Sequence, residues 1–265
     1  GPLGVLDRIE AMTRRGIALH HARKASEADN QLRRVERIYR DHRDLRPVEE
    51  SVWVARAYYE RGEIYRELFE SIRFKLPVER MARDLEDKSN LFLKAQATLF
   101  RCVRLHNAEW SVAAGFRIGQ LYTRLIDDIH NAEVPDDLDE ETIAAYREEL
   151  WKHTGHLARR AVVVFEKNIE LAVRLGQRGE WVERSRSELG RMKELIERET
   201  KRTFDWTKPP DSENGQDAGK ERTRDEADSA PPGAPQRGAG EAPRDDQAKP
   251  AVQRPTDPPK SGSTP

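Results

Sequence analysis

Apolar side chains between residues 5 and 206 recur at spacings of three and four, the signature of helices that bury one face. One stripe runs through Val54, Ala57, Tyr58, Tyr65, Leu68, Phe69 and Ile72. Another runs through Val112, Phe116, Ile118, Gly119, Tyr122, Leu125, Ile126 and Ile129. Met81, Leu85, Phe92, Ala95, Leu99, Cys102 and Val103 form a third, and a longer one extends from Ile143 to Leu175. Alternation with a period of two is absent over any useful length, so an all-α fold is predicted. The pattern gives six or seven helices, over 5–44 (one helix, or two with a break near Gly16), then 48–74, 78–105, 109–130, 139–175 and 180–203. Pro47, Pro77 and Pro135 punctuate them. Asp136 and Asp139 are placed to cap the helix from 139, and Gly176 and Gly179 mark the turn before the last one.

The pattern stops near Trp206. Residues 207–265 hold 11 of the 15 prolines, no aromatic residue, and Val252 as their one Val, Ile, Leu or Phe. Such a segment cannot bury enough apolar surface to offset the entropy of ordering it, so a disordered tail is expected. Gly1-Pro2-Leu3-Gly4 reads as the scar of a cleaved tag and is set aside, which leaves the native N-terminus open. Three regions result: 1–4, a helical domain over 5–206, and the tail over 207–265.

Within the helical part the sequence repeats. Trp53, Trp110 and Trp181 each precede a glycine by nine positions, at Gly62, Gly119 and Gly190. Four residues after each Trp stands a small residue, Ala57, Ala114 or Ser185; eleven after stands an apolar one, Ile64, Leu121 or Met192. A glycine inside a helix costs about 1 kcal/mol relative to alanine. It is expected where a second helix must approach closely. The Trp is expected to cover the turn that leads into its helix. The units read as helical hairpins stacked through glycine and alanine seams.

The segments Arg117–Tyr122 and Glu60–Tyr65 resemble the first helix of a tetratricopeptide repeat, with its Leu-Gly-x-x-Tyr core. Ala95–Val103 and Ala161–Leu171 resemble the second helix. The resemblance spans about 50–205 and does not keep the family's 34-residue period. It implies a short TPR-like α-solenoid, similar to the C-terminal helical regions of large myxobacterial repeat proteins. Some of those serve envelope and gliding-motility machinery. It also implies that first-helix residues line a groove for a partner peptide or helix. Carried over, these are Arg56, Tyr59, Glu63 and Arg66; Phe116, Gln120, Thr123 and Arg124; and Arg184, Ser187, Arg191 and Glu194. The arginines suit an acidic or C-terminal peptide.

Charge adds one restriction. Charged residues are 36% of the chain, yet 47 basic and 48 acidic residues leave a net charge of -1. That balance argues against a nucleic-acid binder, and no apolar run has the length of a membrane span. The single cysteine, Cys102, lies on an apolar stripe and is expected to be an inert buried thiol. No phosphate-binding loop, HExxH or Gly-x-Ser-x-Gly motif is present. His153 and His156, His20 and His21, and Asp127 with His130 lack the further ligands a metal site needs. The expectation is a scaffold for protein–protein interaction, without enzymatic activity, metal or cofactor. A helical homo-oligomerisation module is the alternative. Cytoplasm and periplasm both stay open.

Overall fold

The structure is a computed structural model, and it describes residues 2–135 and 138–203 of the 265. The expected tail and the Asp136 cap lie outside the described residues. The described part is all-α, with no strand among these residues. Its helices are α1 (Pro2–His21), α2 (Ala25–His42), the single turn α3 (Arg46–Glu49), α4 (Val52–Ser71), α5 (Val78–Val103), α6 (Ala108–His130), α7 (Glu140–Arg174) and α8 (Glu180–Thr203). Helix α1 begins inside the tetrapeptide that the sequence set aside.

Three antiparallel hairpins stack in order: α1 with α2, α4 with α5, α6 with α7. Helix α8 packs on both α6 and α7 and closes the row. First helices also pack on first helices, α1 on α4, α4 on α6 and α6 on α8. Ile9, Leu32, Ile64, Leu99, Ile118, Phe165 and Met192 belong to one continuous core along this stack.

The glycines explain the closeness of each hairpin. A Cβ on Gly62 would fall 2.4 Å from the Leu99 side chain, and one on Gly119 would fall 2.4 Å from the Phe165 ring. Gly16 has the same relation to Leu32, at 2.5 Å. Gly16 is therefore a seam and not a break. The break expected there lies at Ala22–Lys24, where Arg23 takes a left-handed φ of 61°. Lys24 donates to the Leu19 carbonyl at 3.0 Å and Arg23 to that of His20 at 2.9 Å, which closes the helix end. The other turns follow familiar rules. Asn107 accepts from the Trp110 amide at 3.2 Å and starts α6; Asp139 accepts from the Thr142 amide at 2.8 Å and starts α7. Gly176, with φ 66°, ends α7.

Gly190 departs from the pattern. Nothing lies within 4 Å of a Cβ built there. No helix follows α8 among the described residues, so the last glycine has no second helix to admit. Its assignment as a structural seam is corrected.

Candidate functional site

The repeated tryptophans reach back to the preceding unit. The Trp110 ring lies 5.1 Å from that of Tyr59, and the Trp181 ring lies 5.4 Å from that of Phe116. Thr13 donates to the Trp53 carbonyl at 3.3 Å. Each indole is also covered by a guanidinium of the earlier helix: Arg14 over Trp53 at 4.4 Å, Arg56 over Trp110 at 4.0 Å, Arg117 over Trp181 at 5.2 Å. The tryptophans thus join successive first helices and do more than cover their own turns.

This stacking corrects part of the expected groove. Tyr59 and Phe116 are 6% and 3% exposed, because the next unit's indole closes over them. Burial pushes the Tyr59 phenol up to about 12. Thr123 is buried as well, with its hydroxyl on the Gln120 carbonyl at 3.1 Å. Ser187, the counterpart of Tyr59 and Phe116 in α8, stays exposed because no unit follows it among the described residues.

Most of the other predicted residues are already paired inside the stack. Arg56 binds Glu60 at 2.7 Å. Glu63 is held by Arg66 and by Arg117 of α6, both at 3.0 Å, and Arg66 also binds Glu70 at 2.6 Å. Gln120 accepts from Arg117 at 2.7 Å. Arg191 of α8 grips Asp127 of α6 at 3.2 and 3.3 Å. Arg184 pairs with Glu180 and lies over Trp181. Arg124 is exposed and approaches Glu70 at 3.8 Å. Glu194 lines a hollow beside Arg191 and Asp127. The first-helix face is therefore a lattice of ion pairs between neighbouring units, and few of its cations are left for a ligand.

A different surface is open. Helices α5 and α7 each run antiparallel to α6, so they run the same way as one another, with α6 between and beneath them. The cleft between them is apolar at two places. At one end Phe74, Val78, Met81, Leu85, Tyr146 and Leu150 surround a hollow of about 340 Å³. At the other, Phe100 and Val103 face Arg160, Val163, Lys167 and Leu171 across a floor that includes Ile118 and Tyr122, around about 210 Å³. Val78 is 66% exposed, and Leu85, Phe100, Tyr146 and Val163 are exposed to a lesser degree. Leu93, on α5 between the two hollows, is exposed too. The stripes of α5 and α7 were legible in the sequence, but a stripe does not tell a covered position from an open one.

Two titratable groups are buried inside the stack. Burial pushes the Cys102 thiol up to about 12, and its Sγ lies 3.3 Å from the Ala55 carbonyl. Lys88 is fully buried; its Nζ donates to the carbonyls of Phe69 at 2.7 Å and Ile72 at 3.0 Å, and pairs with Asp128 at 2.8 Å. Burial lowers its pKa against the pull of Asp128. Among the described residues no cluster of three or more His, Cys, Asp or Glu could hold a metal, and no helix is long and apolar enough to cross a membrane.

No family model matches the chain, and no curated protein matches it. Two solved structures are similar. One is a computationally designed self-assembling cyclic homo-oligomer, 20% identical over 75% of this chain and 70% of its own, with a TM-score of 0.39. The other is a de novo designed helical repeat protein, 17% identical over 76% of this chain and 100% of its own, with a TM-score of 0.25.

Proposed function

We propose that this chain is a non-enzymatic scaffold that docks a helix of another protein in the cleft between α5 and α7. The observation that carries the reading is the exposed apolar lining of that cleft, with Val78, Leu85, Phe100, Tyr146 and Val163 at the surface. Exposed apolar surface gathered along one groove marks an interaction site more often than isolated exposed leucines do. Helix α5 has 26 residues and is about 39 Å long, and the two hollows lie toward its opposite ends, a spacing that a helical ligand of similar length would span. Two apolar walls and an apolar floor suit an amphipathic helix with anchors at i, i+3, i+4 and i+7. Residues 207–265 cannot supply those anchors, having Val252 as their one Val, Ile, Leu or Phe. The first-helix face is the weaker candidate, since binding there would first break pairs such as Arg117–Glu63 and Arg191–Asp127.

Site-specific photo-crosslinking tests the choice of surface. A crosslinking side chain placed at Val163 or Phe100 should capture a discrete partner, and one placed at Arg124 should not. Capture from Arg124 alone would move docking to the first helices. Crosslinks from Val163 to a second copy, with a mass that rises with concentration, would favour the homo-oligomerisation reading instead.

A further inference from the structure

The two ends of the cleft differ in charge, and this limits what can lie in it. No charged residue lines the end around Val78 and Tyr146. The two charged residues that line the end around Phe100 are Arg160 and Lys167, both basic. Arg160 is exposed at the rim, and Arg104, one turn beyond Phe100, is a third cation at this end. None of the three is within ion-pair distance of a carboxylate among the described residues, in contrast to Arg56, Arg66, Arg117 and Arg191. Glu166 of α7 is engaged by Lys193 at 2.8 Å, which leaves Glu170 as the acid beside Lys167. The field at this end is positive.

We infer that the occupant of the α5–α7 cleft is an amphipathic helix with acidic side chains at the end beside Arg104, Arg160 and Lys167, and an uncharged apolar stripe at the other. The inference rests on the cleft being the docking site and adds the chemistry and direction of its ligand. Apolar anchors in the walls supply most of the affinity. The three cations select among helices of equal hydrophobicity, because a basic helix would place like charges together at the cleft's rim. They also fix which way the helix runs.

The experiment uses two synthetic peptides of about 20 residues, long enough to hold helix on a surface. Both carry the same leucine stripe. One has glutamates flanking the stripe at one end, and the other has lysines there. Fluorescence anisotropy with the full chain is expected to give at least ~10-fold tighter binding of the glutamate peptide at low salt. Arg160→Glu with Lys167→Glu should reverse the order. Val163→Asp, a change at an exposed position that should leave the circular dichroism spectrum intact, should abolish binding of both. Equal affinities for the two peptides, both abolished in Val163→Asp, would overturn the acidic ligand and leave the docking cleft standing. Binding indifferent to Val163→Asp, or no binding of either peptide, would overturn the cleft and the inference with it.

Discussion

Three glycines in equivalent sequence settings have two different structural roles. At Gly119 an added Cβ would meet the Phe165 ring, which belongs to the core and has no free space to move into. Gly119→Ala should therefore cost about 1–3 kcal/mol through overpacking. Gly190→Ala meets nothing, and should gain about 0.5–1 kcal/mol from helix propensity and a less flexible unfolded chain. Urea midpoints of the two variants, compared with the parent, decide the matter; equal shifts would show that the glycines do not act as seams. Lys88 makes a sharper case. Its ammonium closes the end of α4 and neutralises Asp128 of α6 from inside the core. Lys88→Met should lose about 2–4 kcal/mol, since the carbonyls of Phe69 and Ile72 would lose their buried donor and Asp128 would keep only Arg73, at 2.7 Å. A loss below ~1 kcal/mol would mean that water takes its place. The sequence marked Gly62 and Gly119 correctly because their setting demanded a close neighbour. It could not separate Gly190, since the identity of a residue does not say whether a second helix follows. Lys88 was invisible for a related reason: lysines on amphipathic helices ordinarily face water.

Helix positions were legible because spacing alone carries them, and the predicted spans from 78 onward match observed helices to within two residues, whereas the span 48–74 runs across the interruption between α3 and α4. The first span failed. No glycine or proline stands at the real break, and the chain instead forces Arg23 into the left-handed region. That conformation disfavours a side chain with a Cβ. Arg23→Gly should raise stability by about 0.5–1 kcal/mol, measured by chemical denaturation. The same change removes the 3.3 Å ion pair between Arg23 and Glu67, which is well exposed on the Arg23 side and contributes little. A destabilised variant would mean that the pair matters more than the backbone. The α5–α7 cleft also belongs to this scale. Each of its walls reads as one edge of an ordinary amphipathic stripe, and only the parallel placement of two second helices over α6 leaves those edges open.

Across the whole stack, charge is a joining material as much as a solvated surface. Ion pairs cross each junction of first helices: His20 with Glu60 and Glu67 between α1 and α4, Glu63 with Arg117 between α4 and α6, Asp127 with Arg191 between α6 and α8. A charge content of 36% with almost no net charge accommodates such pairing, though composition alone could not say which charges face one another. The first junction makes stability depend on pH in a defined direction. The hydrogen bond to Glu60, 3.3 Å away, raises the His20 pKa above 6.5, with burial opposing and the Glu67 charge assisting. Protonated His20 therefore stabilises the fold in full below pH 6.5, and that contribution is lost as pH rises through the higher folded-state value. Burial works against ionised Glu60 and Asp29. His20 and Arg56 outweigh it at Glu60, and Arg61, Tyr65 and Arg33 at Asp29, so both pKa values fall below their usual 4.5 and 3.8. Their contribution is present above those values and disappears as pH falls through the lowered ones. The urea midpoint should be highest between about pH 5 and 6.5 and should decline as pH rises further, through the raised folded-state value of His20. His20→Gln should remove that alkaline decline while leaving the acid limb set by Asp29. A decline of unchanged size in the variant would place the titrating group elsewhere in the stack.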